Sequence, residues 1–158
     1  MNKLFNGEVA RITGGSSGIG RATAILFAAE GARVVVASRR AEESQETVRL
    51  IQAAGGDAMF VKTDVSKAAE AEAMVAATVQ RYGALHFAFN NAGIEGTPFV
   101  PLVSYAESTW DDVIGIILKG VRIDSFSVSS LPFAKMISAR RQSRRWGSGA
   151  RAGTSKCP

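Results

Sequence analysis

Apolar positions along the chain alternate between two styles. Short runs of consecutive apolar residues predict strands, and longer stretches with apolar residues every three or four positions predict helices. Residues 8–13 form the first short run. A helix follows, with Ile19, Ala22, Leu26 and Ala29 proposed as its apolar face and Gly31 as its stop. Val34-Val35-Val36 lies at the centre of a second strand, 33–37, and its unbroken apolar character is that of a strand buried on both faces. The pattern then predicts a helix over 42–54 ended by Gly55-Gly56, a strand over 58–63, and a helix over 67–82 with Ala71, Val75 and Val79 on one face. A strand over 85–89 comes next. A fourth helix opens near Ser108, where Ser108 and Asp111 have the spacing of a capping box. Strands alternating with helices of this length require crossover connections, so the fold class is α/β with a doubly wound parallel sheet. The alternation ends after about four strands, and residues 122–158 show no sustained period, which predicts an irregular tail.

Composition supports one domain over 1–121 followed by a tail of a different kind. The 158 residues are 46% hydrophobic and 21% charged, enough for a packed core and unlike disordered or collagenous chains. Net charge is +5, but residues 122–158 hold eight Lys or Arg against one Asp, a charge of +7 that leaves −2 for residues 1–121. The basic excess therefore belongs to the tail. Arg140, Arg141, Arg144 and Arg145 with Trp146 give a polyanion-binding reading of that tail, set against the commoner solvated one. The abrupt change at Arg122 also fits out-of-frame translation of residues 122–158. Cys157 is the only cysteine, so neither an intramolecular disulfide nor a multi-cysteine zinc site is available, no metal is expected, and a cytoplasmic setting is the default. No stretch reaches the roughly 18 apolar residues of a membrane span, and residues 1–7 break before any signal-like apolar run.

The chemistry concentrates in the turn after the first strand. Thr13-Gly14-Gly15-Ser16-Ser17-Gly18-Ile19-Gly20 closes a strand and opens a helix, which is the setting of a dinucleotide pyrophosphate site. Glycines let the backbone turn tightly and approach phosphates, and the amides and positive dipole end of the helix favour an anion. The plainer alternative is a tight glycine turn with no ligand.

The spacing of Gly14, Gly18 and Gly20, with Asn90-Asn91-Ala92-Gly93 after the fourth strand, resembles the short-chain dehydrogenase/reductase family over residues 7–121. Trp110-Asp111-Asp112-Val113 and Leu118-Lys119-Gly120-Val121 look like that family's long interface helix, so a homo-oligomer is possible. The resemblance implies a Rossmann-like domain of a nicotinamide-dependent alcohol or carbonyl oxidoreductase. The site residues it implies are Gly14, Ser16, Ser17, Gly18, Ile19 and Gly20 at the phosphates, and Asp64 and Val65 at the adenine. Asn91, Ala92 and Gly93 would lie on the nicotinamide-ribose side, with Asn90 bracing the sheet.

Cofactor preference follows from charge at the end of the second strand. An acidic residue there holds the ribose hydroxyls of NAD(H) and repels a 2′-phosphate. This chain has Ser38 in that slot, followed by Arg39 and Arg40. A hydroxyl and a guanidinium suit the phosphate, so NADP(H) is expected over NAD(H). The alternative makes both arginines solvated partners of Glu42 and Glu43.

The departures from the family bear on catalysis. Its relay uses a Tyr, a Lys four residues later, a Ser and an Asn on the long helix. Here the tyrosines are Tyr82 and Tyr105, four residues before His86 and Thr109, so no Tyr-x-x-x-Lys exists, and Ile117 replaces the Asn. No catalytic residue is assigned, and whether the chain is an enzyme stays open at this point. His86 reads as a packed histidine, and Arg11, in the middle of a central strand, needs a partner. The expectation is a fragment that binds NADP(H) without turnover, and a non-catalytic dinucleotide-binding module or sensor is the alternative.

Overall fold

The computed structural model describes residues 3–123 and 125. Four parallel strands form one sheet: β1 (Val9–Thr13), β2 (Arg33–Ser38), β3 (Ala58–Lys62) and β4 (Phe87–Phe89), in the order β3-β2-β1-β4. Their crossovers are α1 (Gly18–Ala29), α2 (Ala41–Ala53) and α3 (Ala68–Tyr82). The strand order reverses beside β1, so a crevice opens beyond the carboxyl ends of β1 and β4, where doubly wound sheets bind ligands. After β4, a 3-10 turn at Leu102–Ser104 leads to α4 (Glu107–Ile114), which continues as a π-helical stretch over Gly115–Gly120.

The sheet is covered on both faces, as the Val34-Val35-Val36 run predicts. Val34 and Val36 pack with Ala24, Ala28 and Ile51 of α1 and α2, while Val35 and Ala37 pack with Met74, Val75 and Tyr82 of α3. Register is set by Ile12 opposite Val36 on one side and Phe89 on the other.

The face of α1 differs from expectation. Its buried residues are Gly20, Ala24 and Ala28, and Ile19 and Leu26 are 72% and 62% exposed. The cause is the contact between Gly20 and the glycine loop, which fixes the helix rotation and brings Ala24 and Ala28 inward one and two turns later. Size of apolar residue is overruled by closeness of approach. The Ser108 capping box is likewise not formed: α4 begins at Glu107 with Ala106 as its N-cap residue, two positions before Ser108, and no side-chain cap is made.

His86 lies one residue before β4 and pairs with Val9 twice. Its backbone N–H donates to the Val9 carbonyl at 2.9 Å, and its Nδ1 accepts the Val9 N–H at 2.9 Å. The imidazole thus closes the lower end of the β1–β4 ladder. Arg11 is fully buried and donates from Nη2 to Asn90 Oδ1 at 2.7 Å. The expected irregular tail, Arg122, Ile123 and Ser125 apart, lies outside the described residues.

Candidate dinucleotide site

Thr13, at the end of β1, organises the crevice. Its hydroxyl oxygen accepts the N–H groups of Asn91 at 3.0 Å and Ala92 at 3.1 Å, joining the chain after β4 to the end of β1. Asn91 returns the link by donating from Nδ2 to the Thr13 carbonyl at 3.3 Å. Gly14, with φ +66°, then turns the chain under this junction, and a Cβ there would lie 3.0 Å from Ala92 Cα. A Cβ on Gly20 would strike the Gly14 carbonyl oxygen and come within 2.6 Å of Asn91 Nδ2. Gly14, Gly20 and Asn91 therefore interlock, and only hydrogen at both glycines permits it.

The outer side of the loop is held by two residues that the sequence reading did not single out. Arg21 donates from Nη2 to the Ser16 carbonyl at 2.6 Å and from Nε to Thr47 Oγ1 at 3.1 Å. Thr47 donates in turn to the Gly15 carbonyl at 3.0 Å. The carbonyls of Gly15 and Ser16 are thereby tied to α2 and α1. Ser17, the N-cap residue of α1, makes no capping bond to its own helix. Its hydroxyl and that of Ser16 instead accept Arg40 Nη2, at 2.6 and 2.8 Å.

A cleft of about 130 Å³ runs along the strand ends. Gly14 and Ser16 line its loop side, Ser38 and Arg39 one end, Asp64 and Val65 the floor after β3, and Ala92 and Gly93 the side after β4. The lining also includes Arg40, Thr63, Ile94 and Ile116. Of the expected residues, Ser17, Gly18, Ile19, Gly20 and Asn91 stand beside this lining: the first four lead into α1, and Asn91 points its amide at the strand end.

Ser38 is nearly buried and structured locally. Its hydroxyl lies 2.8 Å from Ser44 Oγ and accepts the Arg40 N–H at 3.0 Å. Asp64 is half-buried. Burial pushes its carboxyl up, but the Ser66 hydroxyl and N–H, at 2.7 and 3.1 Å, with the charges of Arg39 and Lys67, outweigh burial and hold it below the ordinary value. The carboxylate is thus ionised at neutral pH. Gly120 packs a long-helix segment onto Val65, since a Cβ there would come 3.1 Å from Val65 Cγ2.

Ile117 stands near the cleft, within 3.8 Å of where a Cβ on Gly93 would be, and brings an apolar side chain. Tyr82 is at the other end of the sheet, donating to Asp57 Oδ1 at 3.0 Å just ahead of β3. The Tyr105 hydroxyl accepts the Thr97 N–H at 3.0 Å. Neither tyrosine lines the cleft.

Comparison with known proteins decides the family. The family model described as short chain dehydrogenase matches residues 8–144. The chain belongs to the short-chain dehydrogenase family. The match continues past residue 121, where the motif-based resemblance ends. Among curated relatives of this chain, an uncharacterized oxidoreductase of Listeria innocua is 46% identical over 114 residues, covering 72% of this chain and 45% of that protein. Among solved structures, a short-chain dehydrogenase/reductase from Burkholderia phymatum in complex with NAD is 34% identical, with a TM-score of 0.77 over 85% of this chain and 46% of that one. A metagenomic short-chain oxidoreductase in complex with NADP is 33% identical, with a TM-score of 0.74 over 78% of this chain and 55% of that one. The chain thus spans about half the length of the relatives it matches. Among its described residues, no helix is long and apolar enough to cross a membrane.

Proposed function

We propose that this chain is the nicotinamide dinucleotide-binding part of an oxidoreductase acting on an alcohol or carbonyl, that it favours NADP(H) over NAD(H), and that these 158 residues bind the cofactor without turning it over. The observation that carries the reading is the interlock of Gly14, Gly20 and Asn91. It closes the backbone at the switch point beside a cleft whose lining includes the backbone of Gly14, the hydroxyls of Ser16 and Ser38 and the guanidiniums of Arg39 and Arg40, a donor set that suits phosphates. Gly14, Ser16, Ser17, Gly18, Ile19 and Gly20 would hold the pyrophosphate, Asp64 and Val65 the adenine, and Asn91, Ala92 and Gly93 the nicotinamide-ribose side. Bound there, the nicotinamide supplies or accepts a hydride.

Preference for NADP(H) rests on Ser38 and Arg39. No carboxylate stands in the Ser38 slot, and Arg39 lines the cleft beside it, so a 2′-phosphate would meet a cation instead of an anion. The absence of turnover rests on the sequence: no Tyr-x-x-x-Lys occurs, and Ile117 cannot hydrogen-bond where the family's relay has Asn. The complexes with NAD and NADP among similar structures support a nicotinamide dinucleotide and leave the choice to the chain's own residues.

The test is titration of the chain with NADPH and NADH, followed by cofactor fluorescence. NADPH is expected to bind more tightly, with no NADPH consumption on adding ketones. Equal affinities overturn the preference, loss of both bindings overturns the site, and ketone-dependent NADPH oxidation overturns the inactive part.

A further inference from the structure

The structure assigns Arg40 a role distinct from reading the 2′-phosphate: we propose that it is a positioning residue that holds the Ser17 hydroxyl off the N-terminus of α1, keeping that helix's first amides available to the cofactor's phosphates. The inference rests on the dinucleotide site proposed above.

Three observations lead to it. First, Ser17 is the N-cap of α1 with extended backbone, φ −160° and ψ 175°, a position at which a serine hydroxyl commonly accepts the N–H two or three residues on, and Gly18 follows it in the left-handed region at φ +52°. That bond is not made. A capped helix start offers a ligand fewer amides, so an ordinary cap would compete with an anion at Ile19 and Gly20. Second, the hydroxyl is held elsewhere. Arg40 Nη2 donates to Ser17 Oγ at 2.6 Å and to Ser16 Oγ at 2.8 Å, spanning the glycine loop from the start of α2. Third, Arg40 is itself fixed at both ends. Its backbone N–H is bound to Ser38 Oγ at 3.0 Å, and its Nη1 lies 3.9 Å from Glu43 Oε1.

The neighbouring arginine does not share this geometry. Arg39 lines the cleft near Asp64 and makes no bond to the loop hydroxyls among the described residues. The two adjacent arginines thus differ in their partners: both line the cleft, and Arg40 alone of the pair bonds the loop hydroxyls. Arg40 acts on both dinucleotides because the pyrophosphate is common to them, whereas a residue reading the 2′-phosphate acts on NADP(H) alone.

The experiment measures amide hydrogen exchange at Ile19 and Gly20 by NMR in the ligand-free chain, for the unsubstituted protein, Arg40→Ala, Arg40→Gln, and Ser17→Ala combined with Arg40→Ala. Release of Ser17 in Arg40→Ala and Arg40→Gln should slow exchange at one of these amides, and removing the hydroxyl in the double variant should restore the original rate. Unchanged exchange in both single variants, or slowing that persists in the double variant, overturns the proposal. Titration with NADH and NADPH is the second readout. Arg40→Ala should weaken both by about fivefold, the size of one serine cap that must be displaced. Loss confined to NADPH would make Arg40 a reader of the 2′-phosphate and overturn the positioning role. Failure of the unsubstituted chain to bind either dinucleotide would sink the proposed site, while the exchange data would still decide the Arg40–Ser17 link.

Discussion

Arg11 and Asn90 are joined by a 2.7 Å hydrogen bond from the guanidinium to the amide oxygen, across the junction between β1 and the residue that follows β4. A cation in the middle of a strand covered on both faces is costly unless its donors are met. Asn90 meets one of them, and so the first Asn of Asn90-Asn91-Ala92-Gly93 braces the sheet while the second ties the strand end to Thr13. Asn90→Ala should lower stability by about 1.5–3 kcal/mol, the range for a hydrogen bond to a charged group. Asn90→Asp keeps an acceptor and adds an opposite charge, so it should not show this loss. Urea denaturation at neutral pH measures both, and an equal loss in the two variants would show that Arg11 does not use this oxygen.

Gly20→Ala is expected to damage binding and folding together. Its methyl would strike the Gly14 carbonyl and crowd Asn91, neither of which can retreat without opening the β1–β4 junction. Overpacking of this kind costs roughly 1–3 kcal/mol. Both NADH and NADPH should lose affinity by about tenfold or more, since the phosphate loop common to them is displaced. Gly115→Ala serves as the comparison, because a Cβ there meets only Ser66 Cβ at an ordinary 3.8 Å. Similar affinities for Gly20→Ala and Gly115→Ala would refute the interlock as the basis of the site.

The sheet was legible in the sequence because its signal is local: Val34-Val35-Val36 announces a strand covered on both faces, and glycines with positive φ end the helices beside it, as Gly31 does at +91°. The loop was legible because close approach demands glycine, and Gly14 and Gly20 are spaced for it. What could not be read is what depends on rotation and reach. The face of α1 is set by Gly20 against Gly14, so Ile19 and Leu26 turn outward despite their size. Arg40 stands beside Arg39 in sequence and both line the cleft, yet only the Arg40 side chain crosses to Ser16 and Ser17, a difference no spacing rule contains. Arg21 and Thr47, which hold the loop carbonyls, are ordinary helix residues until the two helices are placed side by side.

Ser38→Asp should reverse the cofactor preference. It restores the carboxylate that holds ribose hydroxyls in the acidic version of this turn and repels a 2′-phosphate. The Ser44 hydroxyl and the Arg40 N–H already converge on this position, so a carboxylate there keeps two donors and the β2 end should stay intact. NADPH affinity should fall by roughly tenfold relative to NADH. Isothermal titration with the two cofactors checks it, and a ratio unchanged from the unsubstituted chain would mean that the end of β2 does not face the 2′ position.

Tyr82 makes stability sensitive to alkaline pH. Burial, then the hydrogen bond to Asp57 and the charge of that carboxylate, push its hydroxyl up to about 12, with Arg81 and Arg33 opposing. Both guanidiniums lie over the ring, at 5.0 and 5.5 Å from its centroid. The folded value stands above the ordinary tyrosine value of about 10, so the folded chain retains a proton that the unfolded chain gives up between these limits. The resulting stabilisation is fully present below about pH 10 and is lost as pH rises through about 12; its size is on the order of 2 kcal/mol. Tyr82→Phe removes the titrating group while keeping the ring in contact with Val9, Met74 and Leu85 in the core. Its urea midpoint should therefore fall less than that of the unsubstituted chain between about pH 9 and about pH 11.5. Parallel declines in the two proteins over that range would show that the alkaline loss arises from groups other than Tyr82.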